Sequence, residues 1–259
     1  MPKIDKAVPN TVVWADLSTP DIAKARAFYS ELLGWSFTGG DDENMGYYTT
    51  ANRDGRRVAA MAKQQSPSEP PVWTVYIGTE SADETKKKVE AAGGKTLAPP
   101  MDIMDLGRMA IFQDPTGATF GVWQSKSHSG LQLHGDPGAM AWHEVYTRDA
   151  KKALDFYTRV FGLKAEKMEG GMEYWTLHAG DHLVGGLMQL GAHAPKDEPS
   201  HWNTYFSVSD TDAATKKLEQ FGGKVRQPAF DTPYGRMSAV TDPFGATFCI
   251  IKPADEARR

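Results

Sequence analysis

Two segments of the chain place an aromatic side chain and a carboxylate two residues apart. Trp14 precedes Asp16 in the first segment, and Trp142, Glu144 and Tyr146 alternate in the second. Because side chains two residues apart in a β-strand project from the same face, each segment presents both groups together. Such a face suits a flat, partly apolar ligand that carries a hydrogen-bond donor or a cation. The alternative is that the tryptophans only fill a core, the commoner fate of a buried aromatic residue.

Later segments add polar and aromatic residues to the same predicted face. These residues are Tyr76, Trp123, His201, Asn203 and Tyr205. We predict that Glu144 and His201 are catalytic, with the carboxylate acting as a general base whose pKa is raised. The alternative for His201 is an exposed position where its strand begins. A further alternative joins Glu144, His201 and Cys249 in a mixed-ligand metal site, although a lone cysteine in an apolar strand is more often a small packing residue.

Two arginines are candidates to hold an anionic group of the ligand. Arg108 and Arg236 each follow a glycine and a long segment, PPMDIMDL or PAFDTPY, which we predict to be a loop that closes over the ligand. Structural roles are the alternatives. Each arginine could tie its loop to the following Asp-Pro turn, or it could pair with Asp16 or Glu144, because a buried carboxylate is costly unless it is paired.

These residues recur because the chain repeats itself. An offset of 128 residues relates Trp14 to Trp142, Asp21 to Asp149, Phe28-Tyr29 to Phe156-Tyr157, Gly34 to Gly162, Gly107-Arg108 to Gly235-Arg236, Asp114-Pro115 to Asp242-Pro243, and GATF at 117–120 to GATF at 245–248. The offset becomes 129 between Trp73 and Trp202, which a one-residue loop insertion explains. We predict two domains, 1–125 and 139–259, joined by a polar, Gly- and Ser-containing linker at 126–138.

Each copy shows the same order of elements. After the first strand, Thr19 is predicted to cap a helix that starts with Pro20 and ends at Gly34. A second helix is predicted between Ser81 and Gly93-Gly94, and short strands follow it. Each copy is therefore interpreted as two βαβββ modules of the α+β class. A ligand would bind the concave, non-helix face of the sheet.

Composition excludes several classes of function. The 259 residues contain 29 Lys and Arg against 33 Asp and Glu, so a nucleic-acid partner is not expected. The single cysteine excludes an intrachain disulfide and indicates a reducing compartment, which we predict to be the cytoplasm. No uncharged apolar run approaches the ~20 residues that a membrane span needs, so no membrane partner is expected. The protein is expected to be a monomer or a homodimer, since two copies in one chain can pair internally.

Three repeated motifs resemble a known superfamily. They are D-x6-FY-x4-G at residues 21 and 149, the strand and helix at 73–94 and 202–223, and GR-x5-DP-x-GATF at 107 and 235. Together they resemble the vicinal oxygen chelate superfamily of glyoxalases, bleomycin-resistance proteins, fosfomycin-resistance enzymes and extradiol dioxygenases. The resemblance implies four βαβββ modules forming two glyoxalase/bleomycin-resistance-like domains with curved mixed sheets.

The resemblance also implies where a catalytic metal would bind. Carried onto this sequence, the ligand positions of the family are Trp14, Thr74 and Gly121 in the first copy, and Trp142, Asn203 and Cys249 in the second. These residues lack the histidines and carboxylates that divalent metals favour in nitrogen and oxygen sites. We therefore predict no metal site and no cofactor.

Two functional hypotheses follow, and the fold alone does not separate them. The first is a protein that binds a small organic molecule in an aromatic-lined cavity, without the usual metal of the family. The second is an enzyme of the superfamily, a lyase, isomerase or dioxygenase, that acts on a small carbonyl or aromatic metabolite.

Overall fold

The structure is a computed structural model that describes residues 7–43, 46–191 and 194–254. The first domain contains β1 (Val12–Thr19), α1 (Ile22–Leu33), β2 (Ser36–Gly39), β3 (Thr49–Arg53), β4 (Arg56–Lys63), β5 (Val72–Gly78), α2 (Ala82–Ala91), β6 (Lys95–Ile103), β7 (Gly107–Gln113) and β8 (Thr119–Ser125).

The second domain repeats this order. Its elements are β9 (Met140–Thr147), α3 (Ala150–Phe161), β10 (Lys164–Lys167), β11 (Tyr174–Ala179), β12 (His182–Gln189), β13 (His201–Ser207), α4 (Thr211–Gln220), β14 (Lys224–Thr232), β15 (Gly235–Thr241) and β16 (Thr247–Pro253). No helix in the described residues is both long enough and apolar enough to cross a membrane.

Each domain is built around one eight-stranded mixed sheet. The strand order is β2-β3-β4-β1-β5-β8-β7-β6 in the first sheet and β10-β11-β12-β9-β13-β16-β15-β14 in the second. Within each module the first and last strands pair in parallel, as β1 with β4 and β5 with β8, and the two modules join through the antiparallel β1–β5 pair. The predicted architecture of four βαβββ modules is confirmed.

The helix termini follow the sequence signals with one exception. Gly34 ends α1 in the left-handed conformation, with φ 69°, and the Ser81 side chain caps α2 by accepting a hydrogen bond from the backbone of Glu84. The prediction that Thr19 caps α1 was wrong. Strand β1 continues through Thr19, and Asp21 caps the helix by accepting from the Lys24 N–H at 3.0 Å.

Alternation along β1 and β9 separates the two faces of each sheet. Ala15 and Leu17 are fully buried on the face that the helices cover. Trp14, Asp16 and their counterparts project from the opposite face, which we call the outer face, as the alternation predicts.

The helix-covered faces of the two sheets pack against each other. Helix α1 contacts α4, α2 contacts α3, and strand β5 contacts β13 across the boundary between the domains. Aromatic rings fill this boundary: Trp35 and Phe206 have centroids 5.4 Å apart, and those of Tyr29 and Phe248 are 5.8 Å apart. The outer faces therefore lie on opposite sides of the molecule.

Two reciprocal hydrogen bonds cross the domain boundary. The Tyr29 hydroxyl of the first domain donates to Asp242 Oδ2 of the second at 3.3 Å, and the Tyr157 hydroxyl donates to Asp114 Oδ2 at 3.0 Å. All four side chains are buried. The repeated FY and DP motifs therefore meet across the boundary, each tyrosine reaching the aspartate of the other copy.

The second oxygen of each aspartate holds its own turn. Asp242 Oδ1 accepts from the backbone N–H groups of Phe244, Gly245 and Ala246 at 2.9 Å each. Both carboxylate oxygens are thereby used, one within the turn and one between domains. A buried carboxylate needs such partners to offset the loss of its hydration.

We predict that replacing either tyrosine with phenylalanine weakens the whole fold. Tyr29→Phe and Tyr157→Phe each leave one buried carboxylate oxygen without its donor, which costs about 1–3 kcal/mol of unfolding free energy. Because the two contacts share no residue, the double variant should lose close to the sum of both effects. Urea unfolding measures these losses, with the exposed Tyr234→Phe as the control. A double variant as stable as the wild type contradicts the role of the contacts.

Candidate functional site

The outer face of the first domain carries a chain of hydrogen bonds that ends on Asp16. Trp14 Nε1 donates to the Tyr48 hydroxyl at 2.8 Å, and this hydroxyl donates to Asp16 Oδ2 at 3.4 Å. Tyr76 donates to Asp16 Oδ1 at 3.3 Å. The carboxylate thus faces two phenols and, through one of them, an indole, with no cation among its hydrogen-bonded partners.

Strand register explains why these side chains meet. Trp14 pairs with Tyr76 across the antiparallel β1–β5 ladder, and Tyr48 lies immediately before β3. Gly121 lies beside Tyr76 on β8, and a Cβ at this position would overlap the tyrosine ring. The glycine therefore gives the Tyr76 ring the space from which its hydroxyl reaches Asp16.

The second domain repeats the arrangement with one more phenol. Glu144 Oε1 accepts from Tyr146 at 2.6 Å and also from Tyr205, while Oε2 accepts from Tyr174 at 2.8 Å. Trp142 Nε1 donates to the Tyr174 hydroxyl at 3.1 Å. The Glu144 side chain is buried, at 4% exposure, so three phenols take the place of its hydration.

The sequence interpretation missed Tyr48 and Tyr174. Each begins a Tyr-x-Thr run, at 48–50 and 174–176, but the offset between the two runs is 126 residues instead of 128 or 129. Following the repeat through this second change of offset would have found both. Gly186 serves Tyr174 as Gly121 serves Tyr76, since a Cβ at residue 186 would overlap the Tyr174 hydroxyl.

Burial shifts the titration of these groups. It raises the pKa of Asp16 to about 7, because desolvation outweighs the opposing hydrogen bonds from Tyr76 and Tyr48. Burial, and next the adjacent carboxylate, raise the pKa values of Tyr76 and Tyr205 well above the usual range for a phenol. The phenols therefore remain protonated donors, while Asp16 is close to half-ionised at neutral pH.

His201 and Asn203 lie next to this network without joining the carboxylate. The His201 ring stacks on Tyr146 with centroids 5.2 Å apart, and its Nδ1 is 2.9 Å from the Pro199 carbonyl oxygen. Asn203 donates to Cys249 Sγ at 3.2 Å. The predicted catalytic pair of Glu144 and His201 is thus not directly hydrogen-bonded, and Tyr146 lies between the two.

Arg108 and Arg236 are directed away from the outer face. Arg108 pairs with Asp83 at the start of α2, at 3.0 Å, and Arg236 makes the equivalent pair with Asp212 of α4 at 2.6 Å. Neither of them neutralises Asp16 or Glu144. Their position beside the helix termini follows from alternation along β7 and β15, where residues 109 and 237 project from the other side.

The two segments predicted to be closing loops are largely strands. PPMDI belongs to β6, which pairs with β7, and PAFDT belongs to β14, which pairs with β15. Only the short turns that follow are irregular. The proline and aspartate content suggested loops, but both segments form bulged edge strands, where proline is tolerated.

The residues at the metal-binding positions of the family do not fit a divalent metal. In the first domain Gly121 has no side-chain atom that could bind a metal, and the Tyr76 ring lies against it. In the second, burial raises the pKa of the Cys249 thiol to about 12, which disfavours the thiolate that binds metals. Among the described residues, no group of three histidine, cysteine or acidic side chains is arranged to hold a metal ion, so Glu144, His201 and Cys249 do not form such a site.

Trp123 positions a histidine that the sequence interpretation left in the linker. Its Nε1 donates to the His128 carbonyl oxygen at 2.8 Å. The His128 ring meets Trp14 and Trp123 edge-on, with centroid distances of 4.7 and 5.7 Å. The segment 126–138 contains no helix or strand, yet Leu131 and Leu133 within it are buried, so it packs as part of the structure.

We predict a pH signature from Asp16. Because its pKa is higher in the folded state than in the unfolded chain, ionising it opposes folding, and its contribution to stability falls as pH rises from about 4 to about 7. Burial lowers the pKa values of His128 and His143, so these two histidines change the stability with pH in the opposite direction. The difference in unfolding free energy between Asp16→Asn and wild type, measured in urea from pH 4 to pH 8, isolates the Asp16 term. This difference in unfolding free energy should shift in favour of the variant as pH rises, and a difference that does not change with pH contradicts the raised pKa.

Comparison with known proteins adds relatives of the same length. The chain is 38% identical to the anthracycline biosynthesis protein DnrV of Streptomyces peucetius over 259 residues, covering 94% of each chain. It is also 38% identical to CFP32 of Mycobacterium bovis, whose name proposes it as a glyoxylase, over 266 residues, covering 99% of this chain and 100% of the relative.

Solved structures with the same fold are more distant in sequence. A Mn(II)-bound glyoxalase from Novosphingobium aromaticivorans superposes with a TM-score of 0.65 at 17% identity, covering 95% of this chain and 84% of that one. A catechol 2,3-dioxygenase superposes with a TM-score of 0.60 at 15% identity, covering 96% and 90%. The sequence profile of the Glyoxalase/Bleomycin resistance protein/Dioxygenase superfamily matches residues 11–122 and 139–250, and the chain therefore belongs to this superfamily.

Proposed function

We propose that the protein binds a small planar organic molecule on the outer face of its second domain, without a metal. The observation that carries this proposal is the buried Glu144 carboxylate, which three phenols hold beside the half-buried Trp142. Burying a carboxylate costs stability, and Glu144 has no cation among its hydrogen-bonded partners to offset that cost. The first domain repeats the arrangement around Asp16, which favours a functional role over accidental packing.

The surroundings of Glu144 indicate the chemistry of the ligand. Trp142 and Tyr205 pack in one apolar cluster with Cys249, Ile251 and Met237. Tyr234, which is 52% exposed, lies near Tyr174. The combination of flat apolar walls and one anionic acceptor suits an aromatic ring system that carries hydroxyl or amine donors.

The relatives support this chemical class. Two of them are named as anthracycline biosynthesis proteins, and anthracyclines are planar polycyclic compounds with hydroxyl groups and an amino sugar. We therefore propose an anthracycline-like aromatic product or intermediate as the ligand. An amine of the ligand would supply the cationic partner that Glu144 does not have among its hydrogen-bonded neighbours.

Calorimetric titration with daunorubicin tests this function. We expect saturable binding to the wild type, and a loss of affinity of at least tenfold, about 1.4 kcal/mol, for Trp142→Ala and for Glu144→Gln. Trp175→Ala and Glu173→Gln are matched controls, because Trp175 is the next residue of β11 after Tyr174 and projects from the opposite face, and Glu173 pairs with Lys167 on the surface. Equal affinity in all five proteins, or no binding to the wild type, contradicts the proposal.

One observation favours a second candidate, an enzyme of the superfamily that acts on a small carbonyl or aromatic metabolite. Asp16 has its pKa near neutrality, the value at which a carboxylate serves best as a general base or acid. The tyrosines around it remain protonated and could donate hydrogen bonds to a developing oxyanion. The relative whose name proposes a glyoxylase supports a carbonyl substrate.

Proton NMR of a methylglyoxal–glutathione hemithioacetal tests the enzymatic alternative. If Asp16 is the base, formation of the thioester rises with pH and levels off above about 7. Asp16→Asn should lower kcat/KM by about 10²-fold or more, whereas the exposed Asp41→Asn should not change it. Equal rates for the two variants, or no turnover by the wild type, exclude this activity.

A further inference from the structure

We propose that His128 is an internal ligand of the first domain, and that its imidazole marks the position that an aromatic ring of the external ligand takes in the second domain. The part that concerns the second domain rests on the proposed function. The part that concerns the first domain rests on geometry alone and has its own test.

The imidazole of His128 lies in a cradle made by two tryptophans. Both contacts are edge-on, with interplanar angles of 87° to Trp14 and 86° to Trp123. The backbone of His128 is also held, since its carbonyl oxygen accepts from Trp123 and its N–H donates to the Leu106 carbonyl oxygen at 3.0 Å. Edge-to-face contact is one of the two preferred geometries between aromatic rings, the other being offset stacking.

The segment around His128 is fixed across the outer face of the first domain. Leu131 is buried and its N–H donates to the Val13 carbonyl oxygen at 2.9 Å. Gly130 has φ 95° and approaches the same carbonyl so closely that a Cβ would overlap it. The Lys126 ammonium pairs with Asp102 at 2.8 Å. This segment and His128 together leave Trp14 only 4% exposed.

The corresponding walls of the second domain have a different character. Trp142 takes the place of Trp14, and Ile251 takes the place of Trp123. Trp142 is half-buried where Trp14 is buried. The residue that corresponds to His128 is residue 256, outside the described residues. The ring of an external ligand placed as His128 is placed would meet Trp142 edge-on and Ile251 through apolar contact, within reach of the Glu144 network.

Two consequences follow from this arrangement. The ligand of the second domain is a planar ring with apolar edges, such as an aromatic or heteroaromatic system, and not an extended aliphatic chain. Among the described residues, the two copies are not equivalent, because a histidine of the chain covers Trp14 in the first and none contacts Trp142 in the second. The chain should therefore bind one ligand molecule, although it carries two carboxylate networks.

Imidazole complementation tests the internal ligand. His128→Ala should lower the melting temperature by roughly 2–4 °C and open a site for free imidazole in the cradle. Added 1-methylimidazole should then raise the melting temperature of His128→Ala more than that of the wild type or of the exposed-histidine control His182→Ala. Equal shifts in all three proteins overturn the proposal for the first domain. A melting temperature of His128→Ala equal to that of the wild type does the same.

The stoichiometry of daunorubicin binding tests the second part. One equivalent per wild-type chain is expected, and two equivalents overturn the inequivalence of the domains. If the wild type binds none, the proposed function has failed, while the imidazole experiment still decides whether His128 is held as a ligand. The two failures are thereby distinguished.

Discussion

The reciprocal contact between a tyrosine of one copy and an Asp-Pro turn of the other is the constraint on which this architecture depends. Tyr29 with Asp242, and Tyr157 with Asp114, form buried hydrogen bonds that are satisfied only when the helix-covered faces meet. This packing buries one face of each helix and leaves each outer face free of the other domain. Because an unpaired buried carboxylate is costly, the contact also disfavours any other docking of the copies. The positions of Asp16 and Glu144 on opposite sides of the molecule follow from it.

Duplication has preserved the framework of the two sites while their chemistry diverged. Both keep an indole, a phenol that links it to a carboxylate, and a small residue that gives one phenol room. In the first domain burial raises the pKa of Asp16 to about 7 against two hydrogen bonds that lower it, and the linker supplies His128 as a cover. In the second, three phenols surround Glu144 and Trp142 remains half-buried. The two copies therefore differ in how their indoles are covered, since His128 lies against Trp14 while Trp142 remains partly exposed.

The sequence was sufficient for features set by local periodicity. The repeat, the strand alternation that joins Trp14 to Asp16, and the glycine at the end of α1 each depend on a few neighbouring residues, and the structure has them as predicted. Features that need distant contacts were missed. Tyr48 and Tyr174 reach the carboxylates across two strands, after a loop of different length in each copy. The partners of Arg108 and Arg236 are helix aspartates whose proximity depends on how α2 and α4 cross the sheets. His128 stood in a segment whose polar composition resembles that of a flexible linker, and only its contact with two tryptophans shows that it is fixed.

The most direct test of the central claim is a crystal structure of the protein soaked with daunorubicin. The account predicts one planar ring system per chain, edge-on to Trp142 with its polar groups toward Glu144, and His128 unmoved between Trp14 and Trp123. Two results would contradict the account. One is density for the ligand in the first domain with His128 displaced. The other is a divalent ion bound beside Trp142, Asn203 or Cys249, where the ring should lie.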